Sequence, residues 1–298
     1  MRKIILFTLL LSVFTACSTE DSASNEDLLK EEAAKPAASQ FKISDEVIGD
    51  LIKSIPSPLE ISTLIKETNK SYDPELLNDA ENAAMYTSSF NKALNLGIYS
   101  TDLGYISLYN HTADALNYIS ALRDLSDQLG IGQFYNFEQI RHLALNSNNV
   151  DSLLLITTKN FEDINNYLHQ KKRSELSVLI LTGGWLEALH LSCTIAQKSQ
   201  NLALLDRVAE QKIILEQLYI MLDNYSEDPK IGALVKQLKQ LKTVYDEINI
   251  TYTVTNQVAK VVDGVLTFED ESESTIHYTP AQIVEIGKLV ESIRASVI

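Results

Sequence analysis

The chain is short of positive charge. Its 298 residues carry 25 Lys and Arg against 40 Asp and Glu, a formal net charge of −15. Nucleic-acid backbones are bound by neutralising phosphates with Lys and Arg, so this balance argues against a nucleic-acid partner. The one dense basic run, Lys171, Lys172 and Arg173, falls where an interhelical turn is expected and reads as a solvated turn. Histidine is scarce too: His111, His142, His169, His190 and His277, none of them in an HExxH motif. Zinc takes three or four converging ligands, and Glu187 with His190, three apart on one helical face, is the one suggestive pair. Di-iron bundles repeat an ExxH motif on two helices; here it occurs once, so neither a metal nor another cofactor is expected. A GxSxG turn is missing, and Gly183–Gly184 lacks the strand and the following motif that a phosphate-binding loop needs. Enzymatic activity is therefore not expected. An enzyme built on this chain would have to use Glu187 and His190, with Asp102 or Tyr105 from a facing helix.

Cysteine occurs only twice, at positions 17 and 193. The first lies in MRKIILFTLLLSVFTACSTED, where Arg2 and Lys3 precede an apolar run from Ile4 to Val13. That run is shorter than the ~20 residues a spanning helix needs and has the form of an export signal. The residues before Cys17 (Val13, Phe14, Thr15 and Ala16) resemble the bacterial lipobox, with Phe14 standing where leucine is commonest. The resemblance implies a diacylglycerol thioether on Cys17, cleavage after Ala16 and acylation of the new amino terminus. One acyl chain binds membranes marginally, whereas two or more anchor stably. Without Arg2 and Lys3 the chain has 23 basic and 40 acidic residues, a net charge of −17. A lipidated Cys17 also leaves Cys193 without a disulfide partner, and its apolar neighbours in LEALHLSCTIA suggest a buried, inert thiol.

Residues 17–40, rich in Ser, Ala, Glu and Asp, cannot bury enough apolar surface to fold alone and read as a flexible acidic tether. Glu20 and Asp21 also resemble the short acidic export signals of surface lipoproteins in Bacteroidota, which favours the cell surface over the periplasmic face of the outer membrane.

From residue 41 onward the hydrophobic spacing is helical, which predicts an all-α, mostly antiparallel multi-helix bundle. The expected helices cover 44–54, 59–69, a long stretch within 74–109, 112–129, 137–145, 150–170, 174–199, 201–222, 229–250 and 280–296. In the fourth, Leu116, Ile119, Leu122, Leu125 and Leu129 are expected inward, with Gly130 closing it. A hairpin around 265–278 and a turn at Asp263–Gly264 are compatible with the pattern, as is a division into two fused lobes near 147–173. Two segments, LNLGIYSTDLGYISLYN at 94–110 and VLILTGGWLEALHLSCT at 178–194, carry glycine inside helical patterns. Mid-helix glycine costs about 1 kcal/mol against alanine, so a close crossing of Gly97 and Gly104 with Gly183–Gly184 is expected.

The stretches KALNLGIYSTDLGYISLYN, NYISALRDLSDQLGI and LTGGWLEALHL resemble uncharacterised helical lipoproteins of Bacteroidota, best over residues 80–200. That resemblance implies helical architecture and an envelope location, and no activity. Together these features point to a non-enzymatic, lipid-anchored accessory or structural component of an envelope complex. The alternative is a lipoprotein that captures a peptide or glycan in an aromatic groove, with Tyr105, Tyr109, Trp185, Glu187 and His190 as its binding residues and Tyr86 and Tyr99 nearby.

Overall fold

The structure, a computed structural model, describes residues 42–55, 64–66, 68, 71–145, 150–253, 258–262, 265–269 and 273–298. Cys17, the tether and most of the helix expected at 59–69 lie outside them. Residues from Lys42 to Ile298 form one compact unit around a continuous apolar core. The division expected near 147–173 is not found among the described residues, because helices on both sides of it pack on the same central pair.

That pair consists of α2 (Ser89–Leu108) and α6 (Ser174–Ser199). Around it stand α1 (Asp45–Ser54), α3 (Thr112–Leu129), α4 (Phe137–Ala144), α5 (Val150–Gln170), α7 (Leu202–Asp223), α8 (Pro229–Asp246) and α9 (Pro280–Ala295). The molecule is thus an all-α multi-helix bundle. Its central helix α6 is enclosed by others and mostly apolar all round, the pattern expected of a buried helix. By length and composition alone α6 could cross a membrane, yet 94% of its most apolar window is buried inside the protein. Two of the hydroxyls it carries inward bond back to their own helix, Thr182 to the Val178 carbonyl at 2.7 Å and Ser192 to that of Ala188 at 2.6 Å.

The two core helices meet backbone to backbone. A Cβ at Gly97 would collide with the Ile180 carbonyl, and one at Gly183 with the Leu94 carbonyl. Thr101 Oγ1 donates across the crossing to the Gly184 carbonyl at 3.1 Å. The expected crossing is therefore present at Gly97 and Gly183–Gly184.

The long helical pattern of 74–109 is interrupted. Asp73, Asp79 and Ser88 each accept a hydrogen bond from a backbone N–H two or three residues on, and each starts the chain afresh. The result is two 3₁₀ turns, Pro74–Leu76 and Ala80–Met85, before α2 begins. Short polar side chains compete in this way with helical continuation. Helix α3 ends as expected at Gly130, which is left-handed at φ 74°. Leu116 is a correction: it is 38% exposed rather than inward.

Between α8 and α9 the chain forms nested antiparallel ladders. Strand β1 (Asn249–Thr253) pairs with β4 (Glu273–His277), and β2 (Val258–Val262) pairs with β3 (Val265–Glu269). The hairpin expected within 265–278 is not formed, since its two strands, β3 and β4, pair with β2 and β1 and not with each other, and α8 stops at Asp246 instead of continuing to 250. The β-branched content of this stretch prevailed over its helical spacing. Asp263–Gly264, expected as the turn, lie outside the described residues between Val262 and Val265, which are paired.

Gly183→Ala is expected to destabilise the protein by about 2–3 kcal/mol, because the added methyl meets a backbone atom that cannot rotate away. Gly49→Ala, whose Cβ would meet only Asn165 Nδ2 at 3.9 Å, should be neutral or stabilising by up to about 1 kcal/mol. Urea unfolding midpoints of the two variants check the contrast.

Candidate functional site

The candidate residues Glu187 and His190 lie one turn apart on α6 and both turn toward α9. Arg294 Nε donates to Glu187 Oε2 at 2.6 Å and Arg294 Nη2 to Glu187 Oε1 at 2.9 Å, a bidentate pair. One turn away, His190 Nδ1 stands 3.4 Å from Glu291 Oε2. An ExxH on α6 thus faces an ExxR on α9 in antiparallel register, 187 against 294 and 190 against 291. The spacing of three that marks Glu187 and His190 recurs at Glu291 and Arg294, and that repeat is the one signal in the sequence that could have pointed to these partners.

A third helix contributes Asp102 from α2. Asp102, Glu187, Arg294 and His190 are all buried, the first two with no exposed surface. Asp102 Oδ2 accepts the Asn78 backbone N–H at 3.3 Å, while Oδ1 has no hydrogen-bond partner among the described residues. Burial, together with the neighbouring Glu187 carboxylate, holds the Asp102 carboxyl well above the usual carboxylate range. Two carboxyls beside a single guanidinium are accommodated when one keeps its proton, and the unpartnered Asp102 oxygen is where a proton can be carried and shared with Glu187. His190 moves the other way: burial lowers its pKa, so its imidazole is neutral at pH 7. The Leu76 carbonyl serves both sides, accepting from Arg294 Nη2 at 3.1 Å and facing His190.

Around this cluster Asn78 acts as a hub. Its Nδ2 donates to the Tyr86 hydroxyl at 2.9 Å and to Asn95 Oδ1 at 3.0 Å, and its Oδ1 accepts from Asn82 at 2.9 Å. Asn95 Nδ2 in turn donates to the Val297 carbonyl at 2.8 Å. The 3₁₀ segment, the core helix α2 and the end of α9 are thereby laced together through buried polar groups.

The aromatic residues are brought together only in part. Tyr105 packs against Tyr109, ring centroids 5.0 Å apart, and against Tyr72 at 5.6 Å. Tyr72 stacks on His111 at 3.8 Å and donates to Asp114 Oδ2 at 2.8 Å. Tyr105, however, is 1% exposed and its hydroxyl accepts the Asp73 N–H at 3.2 Å. Trp185, 3% exposed, turns to α7 and donates its indole N–H to Gln211 Oε1 at 3.0 Å. The open aromatic groove expected from Tyr105, Tyr109 and Trp185 is therefore not formed: two of the three rings are core, and only Tyr109 is half-buried. Tyr86 and Tyr99 are core as well.

Chemically, the arrangement is an ion network closed into the interior. A general acid or base must come within hydrogen-bond reach of a substrate, and neither Glu187 nor Asp102 presents surface to one. Among the described residues no group of three or more His, Cys, Asp or Glu is placed to hold a metal ion. Cys193 is buried, and burial pushes its thiol up to about 12. Compared with protein-family models, curated proteins and solved structures, the chain matches none.

Arg294→Met is expected to cost about 3–5 kcal/mol, because it strands a buried carboxylate. A Glu187→Gln/Arg294→Met double variant should recover a large part of that loss in urea unfolding. Asp102 gives a pH signature. Unfolded, it titrates near 3.8; folded, it keeps its proton to higher pH. From the unfolded value up through the folded one, the native state holds the extra proton, so stability falls as pH rises, at a limit of about 1.4 kcal/mol per pH unit. Asp102→Asn keeps an acceptor for Asn78 and a donor toward Glu187 without ionising. The unfolding free energy of Asp102→Asn relative to wild type should therefore rise between pH 5 and pH 8; a flat difference would refute the protonated carboxyl.

Proposed function

We propose that this protein is a lipid-anchored lipoprotein of the bacterial outer membrane whose helical body acts as a non-catalytic accessory or structural part of an envelope complex. The observation that carries the reading is the closure of the Asp102–Glu187–Arg294 network. The side chains with the most chemical potential tie three helices together instead of facing a substrate. Peptide or glycan capture by Tyr105 and Trp185 would require rings that the fold buries. The lipobox-like residues before Cys17 and the acidic stretch after it supply the anchor and the spacing from the membrane. A mature net charge of −17 keeps such a body soluble and turned away from nucleic acid.

Two measurements test the reading. Metabolic acyl labelling should mark the wild-type chain at Cys17 and be lost in Cys17→Ala, and blocking the signal processing of lipoproteins should leave a heavier, uncleaved chain. An unlabelled chain of unchanged mobility would sink the anchor. In vivo photo-crosslinking from the body should then recover the same envelope protein repeatedly from wild type and not from Cys17→Ala. Recovery of nothing above that control would remove the accessory role.

A further inference from the structure

A cavity of about 130 Å³ lies beside the α2/α6 crossing, on its α1 and α5 side. Its inner wall is built from Ile52 and Ile55 at the end of α1 and from Gly97, Ile180, Leu181 and Gly184 at the crossing. All six are buried. Protein interiors are close-packed and hold few voids larger than a water molecule. A void of roughly 150 Å³ lined by Leu, Ile and Phe stays dry and takes up benzene. Ser100, Thr101, Thr157, Thr158 and Asn165 also line this cavity, but the Ser100, Thr101 and Thr157 hydroxyls are committed to backbone carbonyls, so its inner end suits a small, mostly apolar body.

The mouth is different in kind. Two aromatic rings, Tyr135 and Phe161, stand half-buried at its edge, and the exposed Lys53 and Glu162 complete the rim. Lys53 Nζ already engages Asp50 Oδ1 at 3.4 Å. The Glu162 carboxylate has no hydrogen-bond or ion-pair partner among the described residues. Among the described residues the rim therefore offers one carboxylate with no cation on it and two aromatic rings lining the same cavity, a combination that attracts a cation over an anion. The excess of 40 acidic over 25 basic residues adds a field of the same sign.

We propose that this cavity is a binding site for a small organic ammonium ion with a compact apolar or aromatic body: the body fills the isoleucine- and glycine-walled cavity and the ammonium sits at Glu162, between Phe161 and Tyr135. The site shares no residue with the Asp102–Glu187–Arg294 network and stands independently of an accessory role in the envelope.

Three matched probes test it by isothermal titration calorimetry on the purified full chain: phenethylammonium, the neutral 2-phenylethanol and the anionic 3-phenylpropionate. Phenethylammonium should bind most tightly and 3-phenylpropionate least. Glu162→Gln, a change at an exposed position that leaves the walls intact, should weaken phenethylammonium by about fivefold, the upper range for an exposed ion pair, and leave 2-phenylethanol unchanged. Ser100→Trp, which projects an indole from the cavity wall, should abolish binding of all three, with circular dichroism checking that the variant is folded. No binding of any probe at millimolar concentration overturns the site. Binding without preference for the ammonium, or indifferent to Glu162→Gln, overturns the ligand class.

Discussion

Two helices in backbone contact set the terms for everything else in this protein. Because Gly97 and Gly183 carry no side chain, α2 and α6 approach until the peptide groups of one touch those of the other. From that fixed point the helical repeat decides which side chains meet next. One turn beyond the crossing, Asp102 on α2 and Glu187 on α6 come to face each other, with the Thr101–Gly184 hydrogen bond between crossing and carboxyls. Two acids in a dry interior cannot both ionise without a counter-charge. The position of Arg294, and with it the docking of α9, is the answer to a problem that the glycines create.

The same chain of cause explains why polar residues are so common in this core. Asn78, Asn95, Tyr86 and the Leu76 carbonyl surround the ion network because buried donors and acceptors are costly to leave unpaired once water is gone. The irregular segment before α2 is suited to this task. Its backbone groups are not committed to a continuous helix and are free to turn toward Asp102 and Arg294.

Much of the helical layout was legible in the residues. The bounds of α1 and α9 and the end of α3 follow from local signals: the caps Ser44 and Thr279, Pro280 at the first turn and the glycine at 130. The glycine crossing was legible as well, since glycine in a buried helix calls for a packing reason. What could not be read was set by contacts distant in sequence. Glu187 and His190 stood out as an i,i+3 pair, but their partners lie about a hundred residues away on α9, where ExxR looks like an ordinary exposed helix face. Aromatic side chains misled in the opposite direction: Tyr105 and Trp185 suit a binding groove as well as a core, and only the packing around them decides. The segment 74–88 reads as helix by spacing because aspartate and serine caps weigh little in a hydrophobic pattern and much in the backbone. The stretch 247–277 changes period from helix to strand within a few residues, which a window of helical length averages away.

The wide separation of Glu187 and Arg294, 107 residues along the chain, also bears on the order of folding. During synthesis α2 and α6 are made before α9. Until α9 arrives, closing the glycine crossing would bury two acids with no cation between them. A partly made chain therefore gains little by completing its core early, and the final collapse waits for a contact of long sequence separation, the kind that slows folding. Closing the glycine crossing and docking α9 are thereby tied into one step, although their residues lie far apart along the chain.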